Sequence, residues 1–333
     1  MIRREAFTGL SCALLVALGA ACGGGPPAPG GVPGALQVSC PTLVAIEQVN
    51  GLTQIVTYPA PTTTGGTQPV AASCSPLSGS QFPLGDTTVS CAATDAQGRQ
   101  ATCAFSVILR HRQLSVSRIL AFGDSMTEGE NGRPGFIDTP NAYPTILQQL
   151  FASRIPGQEI TVINEGVGGE RVTENDERLK HELVKYQPQV LLLLEGVNDL
   201  AGGVTPSRVA SAVRDSIDTA RDRGVTYVFV STLLPTATAN CGNQPGAPRC
   251  RGNDVPESAI GDTNNLIRSL VPGAGAYLVD PFAEFVANRA TYVDNDGLHL
   301  RPEGNRALAA AFWNRIVEVI PAPALTGASI LSR

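Results

Sequence analysis

The chain is long enough for two domains, and its charge excludes one class of partner. It has 333 residues and a formal net charge of −5. An average domain holds about 100–200 residues, so we expect two domains and additional processing segments. The lysines are limited to Lys180 and Lys185. Because nucleic-acid binding needs clustered basic side chains, no nucleic-acid partner is expected.

The N-terminus has the layout of a secretory signal. In residues 1–22, arginines precede an apolar stretch that is too short to span a bilayer. Residues 18–22, Leu-Gly-Ala-Ala-Cys, resemble a bacterial lipobox, which implies lipidation of Cys22. Because Leu18 lies four rather than three positions before the cysteine, cleavage after Ala21 by an ordinary signal peptidase is the alternative.

Residues 23–35 are rich in glycine and proline and lack the apolar content needed to pack. Such a composition is typical of a flexible linker. Together with the signal, it predicts a protein that is exported to the bacterial cell envelope. The protein would be held at a membrane only through a lipid on Cys22, or else be secreted.

Cysteine usage agrees with export. Apart from Cys12 and Cys22, an even number of cysteines remains, and no CxxC or Cys/His cluster with zinc spacing is present. We therefore expect three disulfide bridges rather than a metal site. The remaining cysteines are Cys40, Cys74, Cys91, Cys103, Cys241 and Cys250. The last two bracket a Gly/Pro-rich loop and are predicted to pair with each other.

Residues 36–110 are predicted to form an all-β unit. The stretch is rich in Thr, Val, Ser and Gly and has no 3.6-residue period. Residues 87–95 alternate as a strand with one buried face, and Gln97-Gly98 turns the chain into a second strand over residues 101–108.

The same unit resembles the hyalin repeat (HYR) family. The resemblance lies at Cys40-Pro41, at Ser73-Cys74-Ser75-Pro76, in the pattern of residues 82–95 and at Cys103-Ala104-Phe105. It implies an immunoglobulin-like β-sandwich used outside the cell in adhesion or spacing, with no catalytic residue. This unit would either bind an extracellular polysaccharide or protein, or serve only as a spacer.

The sequence favours one disulfide pairing in the β unit but does not determine it. Four cysteines allow three connectivities. We favour Cys40 with Cys103 and Cys74 with Cys91, because the terminal strands of a sandwich often lie side by side while Cys91 sits on an interior strand.

Residues 117–320 show apolar runs that alternate with helical stretches, which indicates an α/β domain with a largely parallel sheet. The run at residues 190–194 is apolar on both faces and predicts a central strand. Helices are expected to begin at Pro206, Pro281 and Pro302. The predicted strands are residues 118–122, 160–164, 190–195, 227–232 and 276–279. Residues 111–116 would then be a linker and residues 321–333 a C-terminal tail.

Polar segments follow three of these strands. They are Gly123-Asp124-Ser125, residues 166–171, and Gly196-Val197-Asn198-Asp199. In open α/β sheets, catalytic and binding groups gather at the carboxyl ends of the strands. Each segment taken alone is also compatible with an ordinary turn.

A serine, an aspartate and a histidine in these regions have the order of a catalytic triad. Among the histidines, His111 lies between arginines in the expected linker and His181 lies in a charged helix face, which leaves His299 as the base. Asp296 would orient that base, and Ser125 would be the nucleophile. A simple turn before the last helix is the alternative for the Asp296 and His299 pair.

Acyl transfer also needs fixed donors for the negative charge that develops on an oxygen. The backbone N–H groups of Ser125 and Gly169 and the side-chain amide of Asn198 are the candidates for this oxyanion hole. We interpret the neighbouring Asp124 and Asp199 as structural.

Residues 117–320 resemble the SGNH (GDSL-type) hydrolase family. The matching blocks, in chain order, are Gly123-Asp124-Ser125, residues 164–169, Gly196-x-Asn198-Asp199 and Asp296-x-x-His299. The resemblance implies a three-layer α/β/α domain with a parallel sheet, and the nucleophile, base, carboxylate and oxyanion roles named above. No Gly-x-Ser-x-Gly segment is present, which disfavours an ordinary α/β-hydrolase.

The expected function is that of an exported serine esterase that cleaves carboxylic esters through an acyl-Ser125 intermediate, with no metal or organic cofactor. Its substrate would be a small-molecule, lipid or acetylated-glycan ester. A carbohydrate O-deacetylase or O-acetyltransferase is the alternative, and a surface adhesin with a non-catalytic hydrolase domain is the third interpretation. The loop between Cys241 and Cys250 would either select substrate or only stabilise the rim of the site.

Overall fold

The computed structural model describes most of the chain but not its ends. The signal segment with Cys22, most of the linker and most of the tail lie outside the described residues. No helix in the described part is long and apolar enough to cross a membrane. The described residues are 34–42, 44–48, 53–133, 135–241 and 250–322.

The N-terminal part of the chain forms a small β unit. Its described strands are β1 (Gln37–Ser39), β2 (Val44–Gln48), β3 (Thr53–Val56), β4 (Thr62–Thr64), β5 (Ala71–Ser75), β6 (Ser80–Pro83), β7 (Gly85–Thr94) and β8 (Gln100–His111). β7 pairs antiparallel with β5 and β8, and β2 runs parallel to β8. β1 pairs with β4, and β3 pairs with β6.

Two disulfide bonds close the core of this β unit. Alternate side chains of β7 are buried, as its period of two predicts. Cys40 is bonded to Cys103 and Cys74 to Cys91, which is the pairing that we favour from the sequence. The sulfur atoms of Cys40, Cys91 and Cys103 lie within 4.8 Å of one another, but each is engaged in a disulfide. Because so small a core buries little apolar surface, cross-links supply part of its stability.

The rest of the described chain forms an α/β unit around a five-stranded parallel sheet. The strands are β9 (Arg118–Gly123), β10 (Thr161–Gly166), β11 (Val190–Leu194), β12 (Tyr227–Ser231) and β13 (Tyr277–Val279). They lie in the order β10-β9-β11-β12-β13. Each predicted strand is present, with ends that differ by one or two residues. β11 is buried along its whole length, because layers of helices cover both faces of the sheet.

Helices on both sides of the sheet complete the three-layer α/β/α fold. They are α1 (Ser125–Glu128), α2 (Tyr143–Arg154), α3 (Asp176–Tyr186), α4 (Val197–Ala201), α5 (Pro206–Asp222), α6 (Glu257–Gly273), α7 (Phe282–Ala287), α8 (Arg289–Tyr292) and α9 (Pro302–Val319). Short 3₁₀ helices span Thr139–Asn141, Thr238–Asn240 and Arg251–Asp254. α2 packs against α9, and α5 packs against α3 and α6. On α5, the predicted stripe of Val209, Val213 and Ile217 is buried.

The strand order places the carboxyl ends of β10, β9 and β11 side by side. Counted along this unit, the order is 2-1-3-4-5, which reverses its direction next to the first strand. Sheets of this kind bind ligands in the crevice outside the carboxyl ends at that point. Ser125, which begins α1 directly after β9, therefore lies where the fold favours a site.

A close backbone contact fixes α1 against β10. A Cβ atom at Gly166 would lie 2.0 Å from the backbone nitrogen of Glu128, the last residue of α1. Only glycine permits this approach. The contact therefore sets the distance between the end of β10 and the helix that begins with Ser125.

Gly166→Ala is expected to displace α1 and to lower the free energy of unfolding by about 3 kcal/mol, because the clash is with backbone that cannot rotate away. Gly261→Ala in α6 is the matched control, since its Cβ would meet no atom within 4 Å. That control should stabilise the protein by about 0.5–1 kcal/mol. Urea unfolding followed by the fluorescence of Trp313, the single tryptophan, measures both variants. Equal stabilities would contradict the packing constraint.

Candidate active site

A tight turn between β9 and α1 presents Ser125. β9 ends at Gly123, and Asp124 caps α1 by accepting a hydrogen bond from the backbone N–H of Met126 at 3.0 Å. Ser125 is the first residue of α1 and is buried. Because the cap satisfies a helix N–H next to the serine, it fixes the backbone around the Oγ atom.

His299 and Asp296 lie beside Ser125, although His299 is 174 residues away in the chain. His299 Nε2 is 2.9 Å from Ser125 Oγ, and His299 Nδ1 is 2.5 Å from Asp296 Oδ2. All three residues are buried. In such a chain of hydrogen bonds, the imidazole can take the hydroxyl proton while the carboxylate orients the ring and stabilises its charged form.

The Asp296 carboxyl group stays ionised despite its burial. Burial raises its pKa, but hydrogen bonds from the His299 ring and from two backbone N–H groups outweigh this effect and lower the pKa below its ordinary value. The backbone N–H groups of Leu298 and His299 each donate to Oδ1 at 3.0 Å. The group therefore keeps the negative charge that stabilises an imidazolium.

The turn at residues 296–299 is tied to the loop that follows β12. The Ala237 N–H donates to Gly297 O at 2.9 Å, and the Gly252 N–H donates to Asp296 O at 3.1 Å. The Cys241–Cys250 disulfide lies between these two donors in the chain. Its first sulfur atom lies 2.9 Å from the position of a Cβ atom on Gly297. The bridge therefore joins the two segments that anchor this turn.

The oxyanion-hole candidates follow the neighbouring strands. Gly169, in the turn after β10, has a φ of 81°, a conformation that favours glycine. A Cβ atom on the adjacent Gly168 would lie 3.9 Å from Ser125 Cβ, so this turn runs along the serine. Asn198 on α4 donates one amide hydrogen to Glu170 O at 2.9 Å. A primary amide has two hydrogens, so the second can serve an oxyanion.

Asp199 and Asp124 hold the backbone in place, as we interpret them from the sequence. Asp199 accepts hydrogen bonds from the Val172 N–H at 2.9 Å and from the Thr173 hydroxyl at 2.6 Å. Asp124 is fully buried, and this burial raises its pKa to about 7, although the cap bond to Met126 acts in the opposite direction.

The other histidines lie in different surroundings. The side chain of His181 on α3 is 70% exposed and contacts Glu182, as expected for a solvated helix face. His111 is the last residue of β8, so this strand extends one residue into the expected linker.

Charged residues that no motif identifies also lie at the site. Glu130 Oε2 is 3.6 Å from His299 Nε2, and Glu130 Oε1 is 3.6 Å from the guanidinium of Arg251. The Glu130 side chain is 9% exposed. The only signal for Glu130 in the sequence is its position shortly after the Gly-Asp-Ser block. A second acidic residue, Glu195, is buried and accepts a hydrogen bond from Asn175. Its only signal in the sequence is its position directly after a run of leucines.

A serine, a histidine and an aspartate joined in this way at the carboxyl edge of a parallel sheet define the class of α/β/α serine hydrolases. The chain belongs to the GDSL-like lipase/acylhydrolase family, whose model matches residues 121–307. It is therefore a carboxylic ester hydrolase. The HYR domain model matches residues 36–109, so both family resemblances are confirmed.

Individual relatives are distant. An arylesterase from Vibrio mimicus is 24% identical over 201 residues, which is 60% of this chain and 88% of the relative. The crystal structure of a lipase/acylhydrolase from Enterococcus faecalis superposes with a TM-score of 0.52 at 18% identity, covering 63% of this chain and 100% of that one. An acetylxylan esterase from Geobacillus stearothermophilus gives a TM-score of 0.49 at 18% identity, covering 67% and 100%. At these identities, the solved structures inform on the fold alone.

Replacing Cys241 and Cys250 together with serine is expected to lower the free energy of unfolding by about 2–3 kcal/mol, from the entropy of the short loop that they close. It should also lower kcat more than it changes KM, because the turn at residues 296–299 loses an anchor. The matched control replaces Cys40 and Cys103, whose bridge lies in the β unit and should not affect kcat. Thermal unfolding and ester hydrolysis measure both effects. An unchanged kcat in the first variant would contradict the anchoring role.

Proposed function

We propose that the protein hydrolyses carboxylic esters through a covalent acyl-Ser125 intermediate. The distance of 2.9 Å between His299 Nε2 and Ser125 Oγ, with Asp296 on the other ring nitrogen, carries this proposal. The similarity to a protein named arylesterase supports it. The proposed reaction uses no metal or organic cofactor.

Acylation begins when His299 takes the proton of Ser125 as Oγ attacks the ester carbonyl. The carbonyl oxygen becomes negative and accepts hydrogen bonds from the N–H groups of Ser125 and Gly169 and from the amide of Asn198. His299 then gives its proton to the leaving alcohol, and the serine remains acylated.

Deacylation repeats these steps with water in place of the serine. His299 takes a proton from the water as it attacks the acyl carbonyl, and the same donors stabilise the second oxyanion. His299 then returns the proton to Ser125 Oγ as the acid leaves. If a sugar hydroxyl replaces the water, the same residues carry out O-acyl transfer.

Ser125→Ala is expected to abolish turnover, because it removes the hydroxyl that forms the acyl intermediate. Asn198→Ala should lower kcat by about 10²–10³-fold through the loss of one oxyanion donor. Hydrolysis of p-nitrophenyl esters from acetate to palmitate measures both variants and the preferred acyl length. Ser153→Ala, at an exposed position on α2, is the control. Wild-type turnover in Ser125→Ala would contradict the mechanism, and wild-type kcat in Asn198→Ala would remove that residue from the hole.

Glu130 favours a more specific function, the removal of acyl groups from hydroxyl-rich alcohols such as carbohydrates. The leaving oxygen must approach His299 Nε2, because this nitrogen donates the proton to it. Glu130 Oε2 lies 3.6 Å from the same nitrogen. A hydroxyl group on the carbon next to the ester is therefore within reach of this carboxylate. An apolar alcohol in that position would desolvate the charge without offering it a donor.

Glu130→Gln is expected to lower kcat/KM for glycerol monoacetate by about tenfold, since hydrogen bonds to charged groups contribute about 1.5–3 kcal/mol. The loss for p-nitrophenyl acetate, whose leaving group has no second hydroxyl, should be smaller. Glu318→Gln, at a position where the side chain is 67% exposed, is the matched control. Equal losses on both esters would show that Glu130 acts through His299 rather than on the alcohol.

We also propose that the chain is exported, with a folded β unit at residues 36–110 and a catalytic unit at residues 117–320. The disulfides and the HYR match support an extracellular setting. A lipid on Cys22 would hold the protein at the envelope, with the β unit as a spacer or as a binder of an extracellular ligand. Mass spectrometry of the mature N-terminus separates lipidation from ordinary cleavage after Ala21.

A further inference from the structure

A buried carboxyl group lies beside the side chain of Glu170, which follows Gly169 in the turn after β10. Glu195 follows β11 and is 2% exposed. Its Oε2 accepts a hydrogen bond from Asn175 Nδ2 at 2.6 Å. Among the residues that the structure describes, none donates a hydrogen bond to Glu195 Oε1, although this atom is buried. An ionised carboxylate with an unpaired buried oxygen is costly, so this atom requires a physical explanation.

The charges that act most strongly on Glu195 are those of carboxyl groups. Glu170, in the turn after β10, lies within side-chain hydrogen-bonding reach of Glu195, and Asp124, before α1, adds further negative charge. Arg178 on α3 binds both carboxylate oxygens of Glu170, one of them at 2.5 Å. Asn175, the residue that precedes α3, donates to Glu195 and also contacts Ser216 on α5. The cation of Arg178 therefore balances Glu170, and no salt bridge between described residues involves Glu195.

We propose that Glu195 is a positioning residue for the oxyanion hole, with a protonated carboxyl group that donates a hydrogen bond from Oε1 to the carboxylate of Glu170. The proton satisfies the buried oxygen and removes one of two like charges. Burial and the charge of Glu170 raise the pKa of Glu195 well above its ordinary value, which supports a protonated group. The inference rests on the proposed roles of Gly169 and Asn198.

Glu170 connects this carboxyl pair to both proposed oxyanion donors. Gly169 directly precedes it, and Asn198 Nδ2 donates to its backbone oxygen at 2.9 Å. Arg178 and the protonated Glu195 together hold the Glu170 side chain. Loss of the proton would leave two negative carboxylates side by side. Their repulsion would displace the turn after β10, together with the oxyanion donors Gly169 and Asn198.

The pH dependence of unfolding tests whether Glu195 is protonated in the folded protein, without a measurement of activity. Because the pKa of Glu195 is raised in the folded state above its ordinary 4.5, the folded chain keeps a proton that the unfolded chain releases, and stability falls as the pH rises. Glu195→Gln has no such proton. The ratio of the unfolding constant of the wild type to that of this variant should rise between pH 5 and 8, by up to about tenfold per pH unit. Urea unfolding followed by Trp313 fluorescence measures this ratio, and a ratio independent of pH overturns the proposal.

Kinetics on p-nitrophenyl acetate at neutral pH test the positioning role. Glutamine keeps a donor for Glu170 and an acceptor for Asn175, so Glu195→Gln should keep kcat within about threefold of the wild type. Glu195→Leu fills the site without a donor, and its kcat should fall by about tenfold or more with a smaller change in KM, as expected when oxyanion donors are displaced. Equal kcat values in the two variants overturn the role. If the leucine variant does not fold, the unfolding ratio of Glu195→Gln still decides whether Glu195 is protonated.

Ser125→Ala separates this inference from the proposed function. If that variant keeps wild-type turnover, the proposed mechanism fails, while the unfolding ratio still decides whether Glu195 holds a proton. If it is inactive and the Gln and Leu variants at position 195 have equal kcat values, the mechanism stands and the positioning role fails.

Discussion

The hydrogen bond between His299 Nε2 and Ser125 Oγ is the contact on which the site depends, because it joins segments that lie 174 residues apart. It forms only when the helix after β9 and the turn at residues 296–299 reach the same edge of the sheet. The first is held by the close approach of Gly166 to the end of α1. The second is held by backbone hydrogen bonds from the segments that the Cys241–Cys250 bridge joins. The catalytic geometry therefore depends on backbone packing outside the turn that contains the serine.

The ionisation of the carboxyl groups around this contact depends on how many donors each one has. Asp296 accepts hydrogen bonds from two backbone N–H groups and from the His299 ring, and its pKa is lowered in spite of burial. Asp124 has a backbone donor in Met126, and burial raises its pKa to about 7. Glu195 has Asn175 as a donor and a like charge beside it, and burial together with that charge raises its pKa well above its ordinary value. The same type of group thus serves as a fixed charge in one place and as a proton holder in another.

The sequence predicts the sheet and the residues around the serine for a simple physical reason. Apolar runs long enough to be buried on both faces identify the strands, and polar residues directly after them must lie at the carboxyl edge. This argument does not identify Glu130 and Arg251. The approach of Glu130 to His299, and of Arg251 to Glu130, arises from tertiary packing, which has no sequence period. Glu195 did leave a signal, since an acid that directly follows a buried strand must find a partner or hold a proton.

The acidic residues near Ser125 raise a physical difficulty, because an oxyanion is stabilised by positive potential and destabilised by nearby negative charge. The charges are balanced locally. Arg251 lies near the Glu130 carboxylate, and Arg178 binds both oxygens of Glu170. A proton on Glu195 removes one further negative charge, and the imidazolium of His299 balances Asp296 during the reaction. The dipoles of the oxyanion donors then act on the substrate oxygen against less negative charge, so pairing or protonating these carboxylates is part of what makes the hole effective.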